Sequence, residues 1–281
     1  MVYVSCTTTK QRLGMLYYTY VSLTRQSTDD FVFCVNISRE PYLFDKGFDE
    51  IPDWLMNRSG IEVNWVENTG SYRKLLPKVN ELGSDDVIVT CDDDILYDGR
   101  WLESLLESAE RHPDSVICGR ARRMKDKVFF RQPNYNEWPP CREAEEGRKI
   151  VPVGCGGVLY RRRFFHADFL NDPKYQEIAP TSDDLWFKAA TLAKGTSAYV
   201  DPRIDEANIS LYHGFGLYDG TNSLYGGRNR RSLVRIGFLM LVNRVAGFFG
   251  IGTSKNDRAW KRIVRHLHSR YGMDIRVLVR G

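Results

Sequence analysis

The sequence predicts an α/β fold in which helices flank a sheet. Short apolar runs that end in polar or glycine-rich residues alternate with segments of helical periodicity, which is typical of strand–helix–strand units. With 281 residues, 42% of them hydrophobic, the chain can bury the core of one large domain or of two fused halves. The predicted strands are Val2–Cys6, Phe31–Ile37, Glu62–Val66, Asp86–Cys91 and Ser115–Cys118, and the predicted helices between them are Arg12–Arg25, Arg73–Leu82 and Trp101–Arg111.

Polar residues gather where several of these strands end. Thr7, Thr8 and Thr9 follow the first strand, Asn36 stands at the end of the second, and three aspartates, Asp92 to Asp94, follow the fourth. In open α/β sheets, ligands bind outside the carboxyl ends of the strands. We therefore expect a ligand site along this edge.

The second half of the chain has a different character. Beyond Arg120 it is rich in arginine and aromatic residues, with a predicted hairpin at Ala121–Gln132 and a glycine-rich stretch at Val153–Leu159. A helix is predicted from Asp183 to a stop at Gly195, with Ser182 as its N-cap. Six scattered cysteines without a C-x-x-C pair predict free thiols in a reducing cytosol, and a strand directly after Met1 predicts no secretory signal.

Three consecutive carboxylates at the end of an apolar strand need an explanation. Packing like charges in a crevice is unfavourable unless a cation compensates them. Mg²⁺ or Mn²⁺ would do so, because both prefer hard oxygen ligands. The alternative is a solvated acidic turn before the helix that begins near Trp101.

In this position the cluster resembles the D-x-D motif of the nucleotide-sugar glycosyltransferases of the GT-A fold, particularly the family 2-like polysaccharide enzymes. The segments Ser5–Leu13 and Ser22–Gln26 are similar to the first strand and helix of that family. Gly70–Pro77 is similar to the segment before the D-x-D strand, where a basic residue approaches the donor. The resemblance covers about the first 215 residues, and it implies a Rossmann-like mixed sheet flanked by helices.

The resemblance also implies roles for individual residues. Asp92 and Asp93 would face the nucleotide sugar, and Asp92 and Asp94 would ligate Mn²⁺ or Mg²⁺. The implied donor is a UDP-sugar, although Asn36 stands where many relatives carry an aspartate that contacts the base. The other residues expected to line the nucleotide pocket are Thr7, Thr8, Arg12 and Lys74. For Arg12 and Lys74 the alternative is an ordinary solvated base on a helix.

A second acidic pair opens the predicted helix at Asp183. Glycosyl transfer needs a base that deprotonates the acceptor hydroxyl, and in inverting family members an acidic pair in a similar place provides it. The resemblance thus implies Asp184 as the base and Asp183 as the residue that orients it. The alternative is a favourable interaction of both acids with the helix dipole. Trp186 beside the pair is expected either to form a platform for the acceptor sugar or to belong to the core.

Two further elements of the site are implied by the family. The loop with Gly156 and Gly157 would lie under donor sugar and acceptor, although a plain tight turn would use the same residues. His213 would be a further metal ligand or a structural histidine. The stretch Leu217–Arg230 that follows is expected to be a lid over the donor.

The C-terminal part is strongly basic. Residues 222–281 contain 13 Lys and Arg against two Asp, a net charge of +11, whereas residues 1–221 carry 27 bases and 34 acids, a net charge of −7. Basic clusters flank apolar residues at 228–251, and a second patch at 255–270 includes Trp260. This extension is expected to lie in a membrane interface, with bases on anionic lipid heads and Phe, Leu and Trp in the acyl boundary. The alternative is a pair of helices packed on the core.

The sequence therefore predicts a GT-A catalytic domain at 1–221, with a nucleotide-sugar half at about 1–97 and an acceptor half at 98–221. A basic helical extension follows at 222–281. The expected function is metal-dependent, inverting sugar transfer from a nucleotide diphosphate donor to a saccharide or lipid-linked saccharide in surface polysaccharide or glycolipid synthesis. The expected location is the cytoplasm at the inner face of the cell membrane, with no nucleic-acid partner. The alternatives are a retaining transferase and a silent binding scaffold of the same fold.

Overall fold

The computed structural model describes residues 1–56, 60–126, 133–211 and 254–280. The strands in these ranges are β1 Val2–Thr7, β2 Val32–Ile37, β3 Ile61–Trp65, β4 Val87–Thr90, β5 Ile95–Leu96, β6 Ser115–Cys118, β7 Ala121–Arg123, β8 Glu145–Gly147, β9 Ile150–Pro152, β10 Val158–Tyr160, β11 Ser197–Val200 and β12 Ile209–Ser210. The α-helices are α1 Leu13–Leu23, α2 Asp53–Met56, α3 Leu76–Val79, α4 Trp101–Arg111, α5 Ala167–Leu170, α6 Tyr175–Ile178, α7 Asp183–Lys194, α8 Lys255–Tyr271 and α9 Ile275–Leu278.

Eight of the described strands form one mixed sheet in the order β3-β2-β1-β4-β10-β6-β11-β8. The first four strands are parallel. β10 lies antiparallel between β4 and β6, β11 is parallel to β6, and β8 is antiparallel to β11. The predicted class, a Rossmann-like mixed sheet flanked by helices, is confirmed.

Most predicted elements form where the sequence places them. The strand Ser115–Cys118 and the helix Trp101–Arg111 match residue for residue, and the other four strands differ by one or two residues at their ends. The helix predicted at Arg73–Leu82 is broken into a 3-10 helix, Gly70–Lys74, and the short α3. The break has a cause in Pro77, which has no N–H and is tolerated only in the first turn of a helix, where α3 places it.

The predicted hairpin is only partly within the described residues. Its first strand, β7, pairs antiparallel with β9, and residues 127–132 lie outside the described ranges. The pairing of β7 with a strand some 30 residues later is a long-range contact, which local turn chemistry does not reveal.

The sheet separates two apolar layers. Because successive side chains of a strand point to opposite faces, Ile88 of β4 joins the layer that includes Trp186, while Val89 joins the layer that includes Trp101. All six cysteines are free thiols, as predicted, and four of them are buried.

Helix α8 packs on the core. Trp260, Ile263 and Leu267 are buried in the layer that contains Trp186, and the rings of Trp260 and Trp138 meet edge to face at 5.5 Å. Trp260 is thus unavailable to a lipid boundary, which corrects that part of the prediction for the extension. For residues 254–280 the alternative of core packing holds, and residues 222–253 lie outside the described ranges. Within the described ranges, no helix has the length and apolar character to cross a bilayer.

Candidate active site

Lys74 links the two acidic clusters. It stands at the end of the 3-10 helix Gly70–Lys74, and its Nζ lies 3.0 Å from Asp183 Oδ2, 3.3 Å from Asp92 Oδ1 and 3.9 Å from Asp184 Oδ1. Burial alone would lower the pKa of Lys74, but the three carboxylates, Asp183 foremost, raise it well above its usual value. Lys74 is therefore a fixed cation in the site, which excludes the alternative of a solvated base.

Arg12 neutralises the rest of the acidic strand end. Its Nη2 forms ion pairs with Asp93 and, at 2.9 Å, with Asp94 Oδ2. Each carboxylate of the cluster thus has a cation beside it, Lys74 pairing with Asp92. Because Arg12 is shared by two carboxylates and Lys74 by three, these ion pairs compensate the negative charge only in part, and a bound metal ion stays a prediction.

Asp93, which follows β4, and Thr8, which follows β1, have structural roles at the carboxyl ends of these strands. Both side chains are buried, and the Thr8 hydroxyl lies close enough to Asp93 to lower the pKa of its carboxyl. Burial raises the pKa of Asp93 to about 6, although Arg12 counteracts the rise. The prediction that these two side chains contact the donor is corrected, because neither is accessible to it.

Asn36 of β2 is also buried, and its side chain links β2 to both neighbouring strands, β1 and β3. Its side chain is 0% exposed, donates from Nδ2 to Ser5 Oγ at 3.0 Å, and accepts from Asn64 Nδ2 at 3.3 Å. The Asn36 side chain is thus engaged between strands, and its contact with a nucleobase stays a prediction. Thr7, which is half-buried, donates its hydroxyl to the Asn36 carbonyl at 2.8 Å, and its part in the nucleotide pocket stays a prediction.

The described residues contain no group of three His, Cys, Asp or Glu side chains able to hold a metal ion. His213 and the predicted lid at Leu217–Arg230 lie outside those residues. Asp92 and Asp94 are half-buried, whereas Asp93 between them is buried. Two accessible carboxylates suit Mg²⁺ or Mn²⁺ only if a diphosphate and water complete the coordination. This donor set fits a metal ion that is shared with a substrate.

The second acidic pair begins α7, as predicted. The helix runs from Asp183 to a left-handed Gly195 at φ 86°, a residue that favours such a stop. Ser182 occupies the N-cap position without capping through its side chain, because its hydroxyl donates to Asn256 Oδ1 of α8 at 2.7 Å. Ser182 therefore ties the start of α7 to the C-terminal helix.

The two acids of this pair differ in environment. Asp183 is buried and accepts a hydrogen bond from Ser71 Oγ at 2.8 Å besides its ion pair with Lys74. The Asp184 side chain is 29% exposed, and its Oδ2 accepts from Gly154 N at 3.0 Å. Burial raises the pKa of Asp184 to about 7, an effect that Lys74 opposes. Asp184 is thus the more accessible carboxylate of the pair.

Gly154 is a site residue that the sequence analysis missed. A methyl group in its place would lie 2.7 Å from Lys74 Nζ and 2.9 Å from Asp184 Oδ1. The available signal was its position as the first glycine of the stretch Val153–Leu159. By contrast, Gly156 and Gly157 are explained by packing, since a methyl group at either would collide with Arg120 or with the Trp101 ring.

Trp186 is a core residue. It is 0% exposed, stacks on Phe169 with ring centroids 4.4 Å apart, and donates from Nε1 to the Leu170 carbonyl at 3.2 Å. The acceptor platform predicted for it is therefore wrong, and the alternative that places it in the core holds.

Comparison with known proteins adds three likenesses. Residues 77–169 match glycosyl transferase family 2. A glucosyl-dolichyl phosphate glucuronosyltransferase of Haloferax volcanii is 28% identical over 120 residues, which span 41% of this chain and 36% of that protein. Two crystal structures of S. aureus TarS 1-349, one of them in complex with UDP, are 13% identical, with TM-scores of 0.47 and 0.48, over 96% of this chain and 73% of theirs. Such structural likenesses carry no functional argument.

The family match spans β4, the three aspartates after it and Gly154, whereas Arg12, Lys74, Asp183 and Asp184 lie outside it. The predicted resemblance to the family 2 glycosyltransferases is confirmed for residues 77–169.

Proposed function

We propose that this chain is an inverting, metal-dependent hexosyltransferase that moves a sugar from a nucleotide diphosphate donor to a hydroxyl group of a saccharide or lipid-linked saccharide. One observation carries the proposal. The Lys74 ammonium lies within 4 Å of Asp92 and of both acids at the start of α7, so donor and acceptor groups can meet around one cation.

Asp184 is the proposed base. The acceptor oxygen attacks the anomeric carbon, the bond from that carbon to the diphosphate oxygen breaks, and the hydroxyl proton passes to Asp184. A base works best with a pKa near the working pH, and burial gives Asp184 a pKa of about 7. The Gly154 N–H bond occupies Oδ2, which leaves Oδ1 for the acceptor.

The diphosphate leaves with negative charge, which Lys74 and Arg12 are placed to stabilise. Asp92 and Asp94 would hold the Mn²⁺ or Mg²⁺ ion, which would supply further stabilisation of that charge. Thr7 remains a candidate for the nucleotide pocket. The implied donor is a UDP-sugar.

The acceptor and the location complete the proposal. The partial relative from Haloferax volcanii is named for transfer to a dolichyl phosphate-linked sugar, which supports a lipid-linked saccharide here. The outer face of α8 is basic and would meet the anionic inner face of a cell membrane. Surface polysaccharide or glycolipid synthesis would need such an enzyme on the cytoplasmic side.

A panel of nucleotide sugars tests the proposal. The melting temperature should rise with the correct donor in the presence of Mn²⁺, because a ligand that binds only the folded state stabilises it. That donor should then release its nucleoside diphosphate when an acceptor is added. No rise and no release with any donor would contradict the proposal, and a product that keeps the anomeric configuration of the donor would show a retaining enzyme.

A further inference from the structure

We propose that the turn Tyr42–Asp45 enters an anionic lipid bilayer through Leu43 and Phe44. This inference rests on the proposed function, since it supplies the means by which the site reaches a lipid-linked acceptor. Both side chains are large and apolar, and they are 51% and 63% exposed.

The turn is held rigidly although its tip is apolar and exposed. Backbone hydrogen bonds of 3.0 Å in both directions between Tyr42 and Asp45 close it. Leu43 has φ 54°, the only positive value of a non-glycine residue in the described ranges, and this conformation costs about 1 kcal/mol or more. The surrounding structure therefore holds Leu43 in an unfavourable conformation that presents its side chain to solvent.

The base of the turn is fixed to the active site. Asp45 is buried and forms an ion pair of 2.8 Å with the buried Arg73, which precedes Lys74. The Tyr42 ring lies against Gly70, where a methyl group would be 3.2 Å away. The next residue, Ser71, donates to Asp183. The apolar tip thus stands beside the chain segment that carries the catalytic cation.

Helix α8 begins at the same end of the molecule, where Asn256 accepts from Ser182 next to the acidic pair. Four of its exposed bases follow the helical spacing of three and four residues, and its one acid, Asp257, is buried in the N-terminal cap. These four bases are Lys255, Arg258, Arg262 and Arg265, and Arg270 in the last turn is also exposed.

Anionic lipid is the partner that fits an exposed apolar turn together with a basic helix. Bases that are not matched by exposed acids on the same helix attract a negative surface, while apolar side chains favour the acyl boundary. The apolar residues of α8 cannot serve this purpose, since Trp260, Ile263 and Leu267 are buried. Leu43 and Phe44 supply the apolar contact instead.

Sedimentation with lipid vesicles tests the inference, using phosphatidylcholine vesicles with and without phosphatidylglycerol. The wild-type chain should bind the anionic vesicles, and less at high salt. Leu43→Asn combined with Phe44→Ser should weaken binding roughly tenfold or more, because two apolar side chains no longer enter the lipid. Asparagine tolerates the positive φ of residue 43, so the turn should keep its shape.

Met56→Ser is the matched control. Met56 is 55% exposed but lies on α2, just before the amino end of β3, at the far end of the strands from the site. This variant should bind vesicles like the wild type. Equal binding by the turn variant, or no binding by the wild type, would overturn the inference. The inference would also be overturned if sedimentation velocity showed a dimer for the wild type and a monomer for the turn variant. A second copy of the chain would then cover Leu43 and Phe44.

Donor turnover separates this inference from the proposed function. Without vesicles, the turn variant should release nucleoside diphosphate from the donor, with a soluble acceptor, at the wild-type rate. Loss of vesicle binding with unchanged turnover supports the lipid contact. If the wild type does not turn over any donor, the proposed function is contradicted. The result for vesicle binding is unaffected, because binding is measured without turnover.

Discussion

The ammonium group of Lys74 lies 3.0 Å from Asp183 Oδ2, across 109 residues of sequence. This ion pair joins the segment before β4 to the start of α7. Both side chains are buried, and Lys74 is the cation that compensates the charge of Asp183.

Replacing Lys74 with Met should destabilise the fold and abolish transfer. Removing one member of a buried ion pair leaves an uncompensated charge, which costs roughly 3 kcal/mol. Urea denaturation and a transfer assay would measure the two effects. Lys46→Met, at an exposed lysine, should change neither. Wild-type stability in Lys74→Met would contradict the role of Lys74 as the shared cation.

Gly154→Ala should reduce transfer by roughly tenfold or more, because a displaced base loses the geometry of attack. The added methyl group would lie 2.7 Å from Lys74 Nζ and 2.9 Å from Asp184 Oδ1, so one of them must move. Gly14→Ala is the control, since a methyl group there meets nothing within 4 Å. This helical substitution should raise the free energy of unfolding by about 0.5–1 kcal/mol without loss of activity. An active Gly154→Ala enzyme would show that this close approach is not needed.

Transfer should depend on the ionisation of Asp184. Burial raises the pKa of this carboxyl to about 7, and only the deprotonated form accepts a proton. The value of kcat/KM should therefore fall about tenfold per pH unit below pH 7 and level off above it. A pH profile that is flat between pH 5 and 8 would contradict this assignment.

Lys188 of α7 should destabilise the protein at neutral pH. It is buried, its Nζ has no hydrogen-bond partner among the described residues, and burial lowers its pKa to about 7. Between that value and 10.5, its usual pKa, the unfolded chain binds more protons, so the stability of the wild type should rise as the pH rises from 7 to 10. Lys188→Met should lack this rise.

The same substitution should raise the free energy of unfolding at pH 7 by about 2 kcal/mol or more, because it removes the cost of a buried amine. Urea denaturation at several pH values would measure both effects. Lys194→Met, a substitution at an exposed lysine at the end of the same helix, is the control. A less stable Lys188→Met would show that the amine has a favourable partner.

Local pattern predicted the strands, the acidic cluster and the acid pair, because each depends on residues close together in sequence, whereas the place of Lys74 in the site was implied by the family resemblance. Local pattern did not predict the burial of Asn36 and Thr8, and for Trp186 it left the core and a ligand contact as alternatives. Those side chains are covered by elements far along the chain, so their polarity or ring shape alone does not distinguish a ligand contact from a core contact.

The ion pairs of the acidic cluster were not predicted, for the same reason. The aspartates after β4 imply some cation, and nothing in their own segment predicts that Arg12 and Lys74 lie beside them. Gly154 was missed because a tight approach between a backbone atom and two side chains leaves no signal beyond the glycine itself.

The rate of sugar transfer by Asp184→Asn, measured with donor binding on the same preparation, tests the central claim most directly. An amide cannot accept the acceptor's proton, so transfer should fall by roughly a hundredfold or more while the donor still binds. Asp114→Asn, at an exposed aspartate, should keep the wild-type rate. Transfer by Asp184→Asn within a few-fold of wild type would contradict the account.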